Sequence, residues 1–202
     1  MLDNHLRETK EQIFLHLAAS LRLSQIQPIY LTLIAFVCGL VATLFLAFGQ
    51  YIPGFFFWFC NRFFDGLDGT VARNANRQSD LGGYLDIMLD FVIYALLPLA
   101  LVIANPSFLA AISLAFMLAT FYINAASWMY LSALLEKLQH ANPRRFTSVV
   151  MPEGLIGGAE TIFFFSLFIL WPDAIILLFG LFGTLVLATA VQRIIWAIRH
   201  LP

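Results

Sequence analysis

Four aspartates lie close together in a strongly apolar stretch of the chain: Asp65 and Asp68, then Asp86 and Asp90. The first pair stands in Asp65-Gly-Leu-Asp68-Gly69-Thr-Val-Ala72-Arg73; after eight residues Gly82-Gly-Tyr-Leu-Asp86-Ile-Met-Leu-Asp90 holds the second. Phe55-Phe56-Phe57-Trp58 precedes them and Phe91-Val92-Ile93-Tyr94 follows. A carboxylate in such surroundings is costly unless it is paired, protonated or bound to a cation. Four on two adjacent segments call for a shared compensation, and a divalent metal is the natural one. No Cys or His is in reach by sequence, so the oxygen ligands suit Mg²⁺ or Mn²⁺ better than zinc.

These residues need helices to position them. Side chains three or four apart share a helix face, so Asp65, Asp68 and Ala72 form one stripe and Gly82, Asp86 and Asp90 another. Two helices joined by a short polar turn pack antiparallel, which lets the stripes face each other. The plainer reading, helix-end charges in water, suits Asp80 as a helix cap. It suits Asp86 and Asp90 poorly, because they lie one and two turns into an apolar segment. The small residues Gly69, Ala72 and Gly82 let a bulky ligand approach the helix backbones, and they are also ordinary packing devices between membrane helices.

The run Asp65-x2-Asp68-Gly69-x2-Ala72-Arg73-x8-Gly82-x3-Asp86-x3-Asp90 resembles the signature of the CDP-alcohol phosphotransferases at all eight positions. The resemblance implies that Asp68, Gly69, Ala72, Arg73 and Gly82 line the nucleotide of a CDP-linked donor. It gives metal coordination to Asp65, Asp68 and Asp86, with Asp90 beside the second of two Mg²⁺ or Mn²⁺ ions. The resemblance also makes Asp90 the general base for the acceptor hydroxyl. The implied reaction is displacement at the β-phosphorus, giving a phosphodiester lipid and CMP. A homodimer, with a complete site in each protomer, is implied too. Many members carry Pro-Asn before the first span; here Pro28 is followed by Ile29, with Thr32 in place.

Composition sets the surroundings. The chain is 61% hydrophobic and 11% charged, with mean hydropathy +0.85, which excludes an ordinary soluble domain. The net charge of −1, with no basic stripe, argues against a nucleic-acid partner. The expected class is an all-α integral membrane protein: six transmembrane helices preceded by an amphipathic surface helix. Residues 1–23 carry mixed charge and an apolar stripe of Ile13, Phe14, Leu17 and Leu21. Residues 24–202 form one membrane domain, with spans expected at about 28–48, 52–73, 81–103, 108–135, 155–170 and 174–198. Ten of the eleven Lys and Arg fall in the tails, the second–third loop or the fourth–fifth loop. The positive-inside rule then places both termini and the mouth of the site in the cytoplasm. The small size and short tails resemble the bacterial phosphatidyl-transferring enzymes, hence an inner (plasma) membrane protein.

The eleventh basic residue, Arg62, lies one turn deeper than Asp65 and reads first as its ion-pair partner. Cys38 and Cys60 read as inert core residues. For a small polar acceptor such as glycerol 3-phosphate the candidates are Arg144 and Arg145, which could bind a phosphate, and Glu160, an ionisable residue inside a span. Each has a plainer alternative in anchoring charge or helix packing. Two other functions compete: a membrane cation transporter, since intramembrane carboxylates are common there, and a catalytically silent scaffold. The carboxylates cluster toward one face, which counts against the first. The complete motif counts against the second. A CDP-choline or CDP-ethanolamine enzyme with a diacylglycerol acceptor remains a third possibility within the resemblance.

Overall fold

In the computed structural model the described residues are 27–141 and 154–201, the side chains of 139–141 excepted. The expected amphipathic segment 1–23 and the candidates Arg144 and Arg145 lie outside them. All regular elements among the described residues are helical. They are α1 (Pro28–Ala47), α2 (Tyr51–Asn74), α3 (Asp80–Ala104), α4 (Phe108–Ala141), α5 (Gly158–Leu170), a 3-10 turn (Pro172–Ala174) and α6 (Ile175–His200). Their limits follow the punctuation of the chain. Pro28 opens α1 at a position whose missing N–H costs nothing, and Gly49, at φ 70°, closes the turn after it. α4 outruns its expected end because Leu135-Glu136-Lys137-Leu138 are good helix formers with no breaker among them.

Four helical segments are long and apolar enough to cross a membrane: Pro28–Ala47, Asp80–Ala104, Phe108–Leu138 and Pro172–His200. The expected six are not all met by this measure. α2 has 24 residues but carries Arg62, Asp65, Asp68 and Arg73. α5 has only 13 residues, roughly 20 Å of helix against a hydrocarbon core of about 30 Å.

The chain divides into two compact units between Pro106 and Ser107. In the first, α1 packs closely on both α2 and α3. Close backbone packing of α2 on α3, expected from their short connection, is slight among the described residues; the two motif helices both lean on α1 instead. Gly39 of α1 makes this possible. A Cβ there would lie 2.7 Å from Ile93 Cδ1 of α3 and 3.1 Å from Asn61 Nδ2 of α2. Nearer the motif, Leu31, Leu67 and Val71 are buried together, with Phe63 and Phe64 against them.

In the second unit α6 packs on α4 and on α5. Its centre is aromatic: Phe165, Phe168, Phe179 and Phe182 are fully buried, and Phe168 meets Phe179 edge-on at 4.9 Å. Arg193, counted above among the anchoring charges, is instead buried. Its Nη1 donates to the side chain and the carbonyl of Asn124, at 2.8 and 3.2 Å, tying α6 to α4.

Candidate active site

The turn between α2 and α3 sets the site. Asn76 adopts φ 51°, the left-handed conformation that ends many helices. The Arg77 N–H donates to the Ala72 carbonyl at 2.9 Å and the Asn76 N–H to the Arg73 carbonyl at 3.3 Å, which satisfies the orphan carbonyls of α2. Ser79, extended at φ −143° and ψ 147°, caps α3: its Oγ accepts from the Gly82 N–H at 3.1 Å. The expected cap, Asp80, is one residue further on. It lies in the first helical turn, where its charge faces the positive end of the helix dipole. Both features carry the chain over the rim of a cavity.

That cavity has a volume of about 750 Å³, within the usual range of about 300–1,000 Å³ for ligand sites. Asp68, Gly69, Ala72, Arg73 and Gly82, the five residues expected at a nucleotide, all line it. Asp86 lines it as well, with Thr32 and Pro28 of α1 and with Arg77 and Ser79 of the turn. The glycines keep the walls low. A Cβ on Gly69 would meet the Arg73 guanidinium at 3.3 Å, and one on Gly82 would meet Ser79 Oγ at 3.0 Å.

Asp86 is also a wall of a second, much smaller recess of about 10 Å³, shared with Asp65, Asp90, Thr32 and Asn61. It is about the size of one water molecule. The four carboxylates thus line two recesses of one unit, which share Thr32 and Asp86 as walls. Asp68 is buried and accepts a hydrogen bond from Thr32 Oγ1 at 2.5 Å. Asp90 is engaged by Arg62, whose Nη2 and Nη1 reach its two oxygens at 2.5 and 3.1 Å. Arg62 also lies 3.5 Å from Asp65, the partner expected from sequence. Asp90 is its closer partner. The fork also donates to the Tyr94 hydroxyl at 2.8 Å and to Asn61 Oδ1 at 2.7 Å.

Sequence spacing left three of these participants unassigned. Thr32 lies 36 residues before Asp68, and Tyr94 lies 32 after Arg62; Asn61 is adjacent to Arg62 but reads as an ordinary polar residue. A polar group inside an apolar run was the one available signal for Asn61 and Tyr94. In the acceptor set, Glu160 belongs to the second unit and has a local task. Its Oε2 accepts from the Gly157 N–H at 3.0 Å and caps α5. Nearby, Gly154 packs against Thr189 of α6, whereas among the described residues no side chain approaches Gly158.

A divalent cation is implied by the signature, and the donor set suits one. The oxygens are hard, and those of Asp68 and Asp86 border a cavity large enough to bring substrate phosphate beside them. Among the described residues no three Asp, Glu, His or Cys side chains converge to enclose an ion. For Mg²⁺ that is no obstacle, since it is usually held by one or two carboxylates together with waters and substrate phosphates.

The chain matches the profile of the CDP-alcohol phosphatidyltransferase family over residues 25–196. It is 35% identical over 195 residues to Inner membrane protein YnjF of Escherichia coli (strain K12), covering 96% of this chain and 94% of that protein. It is also 35% identical over 71 residues to the CDP-diacylglycerol–serine O-phosphatidyltransferase of Bacillus subtilis (strain 168), covering 35% of this chain and 40% of that protein.

Proposed function

Because this chain belongs to the CDP-alcohol phosphatidyltransferase family, we propose that it moves a phosphatidyl group from CDP-diacylglycerol to a small polar alcohol and releases CMP. It is a membrane-embedded transferase of phospholipid synthesis. The observation that carries the reading is the single cavity on which Asp68, Gly69, Ala72, Arg73, Gly82 and Asp86 meet. An apolar, membrane-spanning surround suits a donor that is nucleotide at one end and acyl chain at the other. Glycerol 3-phosphate is the favoured acceptor. Serine, which the Bacillus relative's name specifies, and an inositol phosphate are the nearest alternatives.

The residues divide the work. Gly69, Ala72 and Gly82 leave room for the cytidine, and Arg73 and Arg77 bring positive charge to the donor's phosphates. Thr32 orients Asp68. Asp65, Asp68 and Asp86 would hold Mg²⁺ or Mn²⁺; the resemblance implies two ions, with Asp90 beside the second. When bound, the metal supplies the positive charge that an anionic pyrophosphate requires among carboxylates. The acceptor oxygen bonds to the β-phosphorus, the bond to CMP breaks, and the hydroxyl proton passes to the Asp90 carboxylate. Arg144 and Arg145 are the proposed phosphate ligands of the acceptor.

The protein would sit in a bacterial inner membrane, the location named for the Escherichia relative. All six helices would cross it or enter it, with both termini and the cavity mouth cytoplasmic. Two protomers would associate, each with its own site. The test is purified protein with labelled CDP-diacylglycerol and a panel of acceptors, scored by CMP release. Release with one small alcohol is the expected result. CMP formed only from CDP-choline or CDP-ethanolamine with diacylglycerol would move the protein to the other branch of the family. Cation flux into proteoliposomes without nucleotide turnover would make it a transporter.

A further inference from the structure

At its outer end the large cavity of the first unit is lined by Gln78 and Ser79 of the α2–α3 turn and by Pro28 and Ile29 of α1. Most polar side chains on its wall are already committed. Thr32 donates to Asp68, and Ser79 Oγ accepts from the Gly82 N–H. Arg73 is turned back along its own helix. Its Nη2 donates to Thr70 Oγ1 at 3.5 Å, and its Nη1 lies 3.3 Å from where a Cβ on Gly69 would stand. Gln78 differs. Among the described residues its side chain makes no hydrogen bond, although it lines the cavity. Its backbone, by contrast, is fixed on both sides. The Arg77 N–H is bonded to the Ala72 carbonyl at 2.9 Å, and Ser79 is the N-cap of α3.

A primary amide carries a donor and an acceptor side by side. Cytosine offers the complement on one edge, with its 4-amino group as donor and N3 as acceptor, and unpaired bases are commonly read there. We propose that Gln78 binds this edge of the CDP-linked donor, while Pro28 and Ile29 form an apolar ledge for the face of the ring. The depth of the cavity suits this. From Asp86, where the donor's phosphates belong, α3 runs back seven residues to Ser79. That is roughly 10 Å of helix, the reach of a nucleotide from its phosphate to the far edge of its base. Arg73, folded toward Gly69, leaves the outer end to the base. A ligand site of this kind needs apolar walls and a few placed polar groups. Ile29, standing where many members carry Asn, adds to the wall. An amide can turn over, so Gln78 adds affinity for the base rather than choosing cytosine over uracil. This inference rests on the transferase reading above and deepens it by assigning the base end of the donor.

The test separates the base from the phosphates. Full-length protein in detergent with Mg²⁺ is assayed by equilibrium dialysis against CDP and against inorganic pyrophosphate, which has no base. Gln78→Met keeps the length of the side chain and removes both hydrogen-bonding groups. It should weaken CDP roughly 10-fold, as expected for the loss of two hydrogen bonds, and leave pyrophosphate unchanged. Equal affinity for CDP in the two proteins overturns the proposal. So does an equal loss of CDP and pyrophosphate, which would trace the effect to the turn instead of the base. A third ligand closes the cycle: with a cytidine diphosphate analogue lacking the 4-amino group, the gap between wild type and Gln78→Met should shrink, and an undiminished gap counts against the contact. In turnover, Gln78→Met should raise KM for CDP-diacylglycerol with kcat unchanged; a fall in kcat alone would contradict a role confined to the base. Wild type that binds no CDP at all would sink the transferase reading and this inference with it, whereas CDP binding indifferent to Gln78 would sink this inference alone.

Discussion

The hydroxyl of Thr32 shows how finely the carboxylates are presented. It donates to Asp68 Oδ2 from a neighbouring helix, and both residues are buried. A hydrogen bond to a charged group contributes about 1.5–3 kcal/mol, so Thr32→Val should weaken CDP-diacylglycerol binding through Asp68, read by equilibrium binding. Unchanged affinity would mean that the hydroxyl has no part in presenting Asp68. The aspartates themselves should separate by role. Asp90→Asn keeps shape but has almost no basicity, so it should bind the donor and lose about 10²–10⁴-fold in rate. Asp65→Asn and Asp68→Asn should lose donor binding as well, because the pyrophosphate loses its counter-charge with the metal. Affinity and CMP release measured on each variant check this. Equal loss of binding in all of them would mean that the carboxylates act as one undivided cluster.

Helix ends do as much as helix faces. The α2–α3 turn is held by two small devices, the left-handed Asn76 and the Ser79 cap. Both lie next to residues that line the cavity. Ser79→Ala removes the acceptor for the Gly82 N–H and should cost about 1 kcal/mol of stability, visible as a lowered thermal midpoint in detergent. Because Gly82 sits on the cavity wall, donor affinity should fall with it. A variant with wild-type melting and affinity would show that the cap is dispensable. The same logic accounts for Glu160. Its spacing from Gly157 places it at a helix start, where its oxygen is spent on the backbone.

Across the whole molecule the two units are stabilised by different means. The first is held by α1, against which polar and apolar side chains of α2 and α3 both close. The second is an aromatic core, and Phe168 is at its centre, in ring contact with Phe164, Phe165, Phe179 and Phe182. Phe168→Ala should therefore cost about 3–5 kcal/mol, measured as a loss of thermal stability in detergent. A shift no larger than that of a surface substitution would refute that central role. Activity of the intact protein should also vanish on chelation and return with Mg²⁺ or Mn²⁺. Full turnover in excess EDTA would exclude a metal-dependent reaction.

What the sequence determined by itself was local. Helix limits follow from apolar runs bounded by Pro, Gly and Asn, and the carboxylate stripes follow from spacings of three and four, because both depend on the helical period alone. The five residues expected at the nucleotide come together for the same reason: they lie on two segments joined by one short turn. Tertiary structure decided the pairings between distant segments. Thr32 with Asp68, Asn61 with Ala35, and Arg62 with Asp90 and Tyr94 join positions 26 to 36 residues apart. Which of them meet depends on how α2 and α3 lean on α1, where Gly39 leaves room for Ile93 and Asn61. Helical spacing favoured Asp65 as the partner of Arg62, three residues away. The packed helices brought Asp90 closer, and a planar fork gains more from two oxygens placed side by side than from one on its own helix.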